Sequence, residues 1–328
     1  MIGTFVWDII HGRDTTQAPI EEWGGITYAL SALDAALDVP HPTQPDEAWE
    51  IVPLIRVGTD LAQRARDYLG TLRHLAPDAA PIEVAYPNNR VTIYYTSDDS
   101  RNEYLRGGIP AWSWTELEPL LVNIDALYIN LISGFELDLD TARRIRQHFR
   151  DPIYCDLHSL LLAVDADGLR TPRTITNIPA WFQCFDILQV NEGEMKLLAP
   201  NATSLAKTAM RSGVSIINVT LGPQGVMYFA IPWIERLFDL HTASLRPMAD
   251  LDKPIQTALV PAAPVQRSSG GDPTGCGDVW GATYFARLLV GDNLGNAISA
   301  ALKAAARNVD HRGASGLASY LRGAPSVT

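Results

Sequence analysis

Gly271-Asp272-Pro273-Thr274-Gly275-Cys276-Gly277-Asp278 runs directly into an apolar, helix-length stretch at 279–290. Small residues at 275, 276 and 277 let the backbone come close to a ligand and turn several N–H groups toward one point. That point is also a helix N-terminus, where unpaired N–H groups and the macrodipole favour an anion. Asp278 places a carboxylate beside this anion hole. Such a charge repels a phosphate unless it has a task, and taking a proton from an attacking hydroxyl is one. The octapeptide reads as a phosphoryl-transfer site. It also satisfies a plainer pattern, a helix N-cap in which Asp278 or Thr274 holds orphan amides after a glycine turn.

Outward from this turn, apolar strand-like runs alternate with helix-length patterns. Ile2-Gly3-Thr4-Phe5-Val6-Trp7-Asp8, 52–57, 126–131, Ile153-Tyr154-Cys155-Asp156, 185–190 and 215–220 read as strands; 61–72, 140–149 and 296–309 read as helices. That alternation predicts a three-layer α/β/α fold with a mostly parallel sheet, as one domain over 1–328. Ligands on such sheets gather at the C-terminal ends of strands. Asp8, Asn191 and the turn after Thr220 each fall at such an end. Two segments break the alternation, 11–23 and 82–114. They carry extended patterns such as Val91-Thr92-Ile93-Tyr94-Tyr95-Thr96 and predict strands packed over the site. The Pro-rich stretch 232–269 predicts strands joined by irregular loops.

Composition narrows the function class. A chain of 328 residues with 47% hydrophobic content can bury a large core. A net charge of −11 argues against nucleic acid or an anionic membrane as partner, since both need a positive face. No run has the length of an uncharged membrane span, and Met1-Ile2-Gly3 leads into a strand without a basic leader. Cys155, Cys184 and Cys276 lie far apart, which predicts a reduced, cytoplasmic compartment and no disulfide frame. The seven histidines are scattered, with no zinc spacing.

Asp272-Pro273-Thr274-Gly275-Cys276-Gly277-Asp278 resembles the second signature of the ribokinase-like (PfkB) family of carbohydrate and nucleoside kinases, with Pro273 and Cys276 in place of the commoner Thr and Ala. The resemblance implies an anion hole for the γ-phosphate at Gly275, Cys276 and Gly277, with Asp278 as catalytic base. Further landmarks follow in the expected order. Asn191-Glu192-Gly193-Glu194 is similar to the family's Asn-x-x-Glu motif, which implies that Asn191 and Glu194 place Mg²⁺ through water; the same pattern also caps a helix after a strand. Thr220-Leu221-Gly222-Pro223-Gln224-Gly225 resembles the Thr-x-Gly-x-x-Gly turn, implying that Thr220, Gly222 and Gly225 border the nucleotide. As plain sequence it is a hairpin turn. Near the C-terminus the resemblance implies a nucleotide contact at Asn308, or a helix-terminal Asn, and a monovalent-cation site (K⁺) at Asp272.

The front half resembles the acceptor side of these kinases. Asp8, Gly24 and Gly25 match the carboxylate and Gly-Gly pair that hold the acceptor's hydroxyls. An Asn is usual four residues after the second Gly; Ala29 stands there, removing an amide that both donates and accepts and weakening the case for a ribose- or fructose-type acceptor. Val57-Gly58-Thr59-Asp60 is similar to the family's Val-Gly-x-Asp segment. The two extended segments match a β lid that in the family pairs with a second subunit, which implies a homodimer through the lid edge and through Trp112 and Trp114. Taken together, the resemblance implies an ATP- and Mg²⁺-dependent phosphotransferase acting on a hydroxyl of a sugar or sugar derivative. A nucleoside kinase of the same fold and a non-catalytic nucleotide-binding regulator are the alternatives. A dinucleotide-dependent oxidoreductase needs Gly-x-Gly-x-x-Gly after the first strand, and none is there.

Overall fold

The computed structural model describes residues 1–11, 18–40, 48–95, 101–240, 254–265 and 272–324. Strands are numbered along the chain: β1 is Ile2–His11, β2 Ile20–Gly25, β3 Leu54–Gly58, β4 Ile82–Val84, β5 Asn89–Tyr95, β6 Arg101–Arg106, β7 Leu127–Asn130, β8 Ile153–Asp156, β9 Leu162–Val164, β10 Arg170–Pro172, β11 Ile187–Asn191, β12 Ile216–Thr220, β13 Val226–Ala230 and β14 Gln256–Val260. The central sheet runs β14-β13-β12-β11-β8-β7-β1-β3-β4. It is parallel except at one edge, where β13 runs antiparallel to both β12 and β14. Strands β3, β7 and β8 are buried at every position, as a sheet covered on both faces requires. Helices Ile26–Ala36, Ala62–Leu69, Cys276–Leu289 and Leu294–Val309 pack together on one side. The Tyr68 hydroxyl locks two of them, donating to the Thr27 carbonyl (2.6 Å) and lying 2.8 Å from Ser31 Oγ. Helices Leu139–His148, Ile178–Phe182 and Ala202–Arg211 contact one another in series. The expected three-layer α/β/α fold with a mostly parallel sheet is what the chain adopts.

From β1 the chain proceeds to β3 and β4 on one side, then returns to β7, β8 and β11 on the other. The strand order therefore reverses beside β1, and a crevice opens there at the carboxyl ends of the strands. The first strand does not stop at Asp8. Its start pairs with β3 and β7, while Val6 to His11 leave the main sheet, pairing antiparallel with β2 and parallel with β5. The β2-β1-β5-β6 sheet is the lid, and Asp8 sits inside its root strand. The β-branched pair Ile9 and Ile10, with β2 and β5 as partners, carries the strand onward.

The lid is smaller than the sequence pattern predicts. Within 82–114, β4 belongs to the main sheet beside β3, and only β5 and β6 are lid strands; residues 12–17 and 96–100 lie outside the described residues. Trp112 and Trp114, expected on an exposed lid edge, are core residues, 4% and 9% exposed. The Arg56 guanidinium lies 4.0 Å over the Trp112 ring and donates to the carbonyls of Pro110 and Ala111, drawing this stretch into the body. Of 232–269, β14 is a strand as expected, and 241–253 and 266–269 lie outside the described residues. Among the described residues, no helix is long and apolar enough to cross a membrane.

Candidate active site

Gly275 takes a left-handed conformation (φ 74°) and serves as N-cap of helix Cys276–Leu289. A Cβ there would lie 2.3 Å from the Tyr28 ring, so the turn needs glycine for both its torsion and its contact. Asp272 builds the approach: its Oδ1 accepts from the Thr274 N–H (2.9 Å), and its own N–H donates to the Val309 carbonyl (3.0 Å). The Cys276 N–H is spent inside the turn on the Pro273 carbonyl (3.1 Å), and the first bond of the helix runs from Val279 N to Gly275 O (2.8 Å). The amides of Gly277 and Asp278 precede that bond, at the positive end of the dipole. Burial pushes the Cys276 thiol up to about 11. Asn308 is wholly buried; its amide donates to the Thr274 carbonyl at 2.8 Å and so holds the turn from behind.

Asp278 is 6% exposed, and its Oδ1 accepts from Asn130 Nδ2 at 2.6 Å. Asn130 ends β7, Asp156 ends β8, and Gln189 stands near the end of β11. Gln189 Nε2 donates to Asp156 Oδ2 (3.1 Å) and to the Gly277 carbonyl (3.0 Å), while the Tyr154 hydroxyl donates to Gln189 Oε1. Three adjacent parallel strands thus aim polar ends at one helix N-terminus. Sequence reasoning passed over Asn130, Asp156 and Gln189. Their signal was a polar residue at or near the end of an otherwise apolar strand, where burial demands a partner.

Asn191 and Glu194 form a full capping box on helix Glu192–Leu198. Asn191 Oδ1 accepts from the Glu194 N–H (2.9 Å), Glu194 Oε2 accepts from the Asn191 N–H (2.8 Å), and Asn191 Nδ2 donates to Glu194 Oε1 (2.7 Å). Burial raises the Glu194 carboxyl to about 7 against the opposing pull of the Asn191 amide, with the Asp278 charge adding to the rise. Asp156 is raised as well, by burial first and then by Glu194 and Asp278. Three carboxylates therefore crowd one place and oppose each other's ionisation. At the neighbouring turn, the Thr220 hydroxyl lies 3.5 Å from the Val190 carbonyl. Gly222 (φ 55°) has open space where a Cβ would be, and a Cβ on Gly225 (φ 101°) would strike the Val260 carbonyl at 2.0 Å.

On the lid side, Asp8 is 8% exposed and lies directly over Gly24, where an added Cβ would meet Asp8 Oδ2 at 1.9 Å. Gly25 (φ 51°) caps helix Ile26–Ala36 and abuts Ile132. The three expected acceptor-side residues are thus brought together. Ala29 is wholly buried in that helix.

Two cavities result. One, of about 460 Å³, lies between Asn191–Glu194, the 220–223 turn and the 273–278 turn, with Asp156 and Gln189 in its wall. The other, of about 70 Å³, lies under the lid between Asp8, Gly25, Val91, Ile93, Glu103 and Arg170. They share His158, Thr274, Gly275 and Asp278. Asp278 stands where they meet.

No protein-family model matches the chain, and no curated protein matches it by sequence. Solved structures match it in shape. A ribokinase of Arabidopsis thaliana complexed with ribose and ATP is 15% identical at a TM-score of 0.61, covering 98% of this chain and 96% of that one. A nucleoside kinase of Burkholderia thailandensis complexed with inosine is 16% identical at 0.65, covering 96% and 92%. A pyrophosphate-dependent kinase in the ribokinase family, complexed with a pyrophosphate analog and myo-inositol, is 13% identical at 0.66, covering 95% of each chain. The chain has the ribokinase-like fold.

Proposed function

We propose that this chain is a small-molecule kinase that moves the γ-phosphoryl group of ATP to a hydroxyl of a sugar or sugar derivative. The observation that carries the reading is the meeting of the two cavities at Asp278, a buried carboxylate at a helix N-terminus. The larger cavity would take the phosphates of the donor and the smaller the acceptor, so one side chain borders both reactants.

In this reading Asp278 accepts the proton of the acceptor hydroxyl as it attacks in line. Asn130 is a positioning residue: its amide fixes one carboxylate oxygen of Asp278. The Gly277 and Asp278 amides, with the helix dipole, bind the charge that spreads over the phosphoryl oxygens. Gln189 steadies the Gly277 peptide by taking up its carbonyl. Asp8 holds other hydroxyls of the acceptor, and the lid excludes water that would otherwise consume the donor. The crowded carboxylates fit a divalent cation, whose charge would relieve their mutual repulsion. Among the described residues, no three His, Cys, Asp or Glu side chains are grouped to hold a metal directly. Mg²⁺, which keeps several waters, would be held by Asn191 and Glu194 through them and would neutralise phosphate charge. Asp272 is the side chain offered to K⁺. The structural neighbours support both reactant classes: one is complexed with ribose and ATP, another with inosine, a third with a pyrophosphate analog and myo-inositol.

The test is acceptor-dependent ADP release from Mg-ATP over sugars, polyols and nucleosides, with pyrophosphate as a second donor and Asp278→Asn in parallel. Turnover of one acceptor, reduced about a hundredfold or more in a folded Asp278→Asn protein, is expected of a general base. ATP binding without acceptor-dependent release from any of them would replace the kinase with the regulator.

A further inference from the structure

We propose that Arg170 and Glu103 set acceptor specificity, and that the acceptor is an uncharged polyhydroxy compound, not a phosphorylated or carboxylated one. The proposal rests on the kinase reading above and names the substrate class of that site. Its origin is the β9–β10 hairpin, an antiparallel pair with Arg170 opposite Val164. The hairpin docks on the lid. The Leu105 N–H of β6 donates to the Gly168 carbonyl (2.8 Å), and Tyr104 bridges Leu169. Gly168 (φ 92°) permits the approach, since a Cβ there would meet the Leu105 carbonyl at 2.7 Å. This docking brings Arg170 beside Glu103 on the wall of the acceptor cavity.

The Arg170 side chain is 5% exposed. Its Nη1 donates to Glu103 Oε2 at 3.3 Å and its Nη2 to the Ile132 carbonyl at 3.0 Å, while Nε is buried with no hydrogen-bond acceptor among the described residues. Guanidinium recognises phosphate and carboxylate through two parallel N–H groups. Here each terminal nitrogen gives one N–H to the protein, and the ion pair with Glu103 answers the guanidinium charge, so an anion would have to compete with Glu103 for it. Nε and the second N–H of each terminal nitrogen are left as single donors, which suit hydroxyl or ring oxygens. The carboxylates of Asp8 and Glu103 accept hydrogen bonds from hydroxyls and repel an anion in the same small space. Val91 and Ile93 offer an aliphatic surface to the C–H face of a ring. Among the described residues lining this cavity, Arg170 is the only Arg or Lys.

The test uses the full chain with Mg-ATP and a matched series: a neutral sugar or polyol, its phosphomonoester, and its sugar acid. Steady-state kinetics are read together with calorimetric binding of the same compounds. The neutral member is expected to exceed both anions by about tenfold or more in kcat/KM and in affinity, the range that a few polar contacts command. Glu103→Gln removes the carboxylate that pairs with Arg170, so it is expected to weaken the neutral acceptor about tenfold and to shift preference toward the sugar acid. Arg170→Met is expected to raise KM for the neutral acceptor with kcat little changed and with no gain on the acid. An anionic member used or bound as well as the neutral one by the wild type overturns the proposal. So does an unchanged preference in a folded Glu103→Gln protein. Binding with the expected preference but no turnover would instead count against the kinase reading alone.

Discussion

At the scale of single residues, Gly24 and Asp8 show how little room the acceptor side allows. A Cβ at 24 would lie 1.9 Å from the Asp8 carboxylate, so the side chain must swing away from where it faces the cavity. Gly24→Ala is expected to raise acceptor KM about tenfold or more and to cost about 1–3 kcal/mol by overpacking, as read by kinetics and urea unfolding. Gly316→Ala is the control: its φ is 73° but no atom of the described residues lies within 4 Å of a Cβ, so only backbone strain of about 1–2 kcal/mol applies. Glu194 provides a pH signature. Its carboxyl titrates near about 7 in the folded chain, above the ordinary 4.5. The folded protein therefore keeps this proton when the unfolded chain has lost it. The associated stability is complete below about 4.5 and is lost as pH rises through about 7. In the proposed site a divalent cation would displace that proton, so apparent Mg²⁺ affinity is expected to climb between about pH 6 and 8. Mg²⁺ titrations at the two ends of that window decide it: an equally steep climb in Glu194→Gln would assign the effect to Asp156.

At the scale of elements, the helix Glu192–Leu198 explains why Asn-x-x-Glu allows two readings. A capping box and a phosphate-side pair are the same residues at the same spacing, and this chain uses them for the cap while turning them to the cavity. Asn191→Ala is expected to cost about 1 kcal/mol through the lost cap and to weaken Mg²⁺ dependence as well, since Glu194 loses two of its partners' constraints. Asn191→Ser keeps an oxygen for the Glu194 N–H but not the amide that faces Glu194 Oε1, so it should recover the stability but not the metal response. A variant that recovers both would reduce Asn191 to a cap alone. The first strand carries a similar double duty. The run Ile2–His11 satisfies the main sheet with its first half and the lid with its second, which is why Asp8 falls within a lid strand that is rooted in the main sheet.

At the scale of the whole molecule, the two ends of the chain are stapled through one buried charge. Asp34 is wholly buried; its Oδ1 accepts from the amides of Arg73 and His74 (2.8 Å each), and Arg322 beyond helix Leu317–Leu321 donates to Oδ2. Arg322→Met leaves that carboxylate without its cation and is expected to destabilise the fold by about 3–5 kcal/mol. Chemical unfolding within 1 kcal/mol of wild type would show that the staple is dispensable. The lid is joined to the body by fewer covering elements than β7, β8 and β11, which are buried in the sheet's middle. Its amides are expected to exchange faster with solvent and to gain protection when an acceptor binds.

The turn at 272–278 was legible because its chemistry is local: consecutive small residues ahead of an apolar helix imply their own backbone geometry. The strand–helix alternation was legible for a related reason, since hydrophobic period reports burial on one face or two. From the sequence alone came the α/β class, the position of a glycine turn ahead of a helix and the carboxylate beside it. Only the tertiary structure decided that Asn130, 148 positions before Asp278 in the chain, would hold that carboxylate. It also decided that Trp112 and Trp114 face the core, and that a hairpin brings Arg170 to Glu103. Those meetings depend on strand order and register, which bring together the ends of segments far apart in sequence. A periodic pattern records which face of a strand is buried, and carries no record of which strand lies next to it.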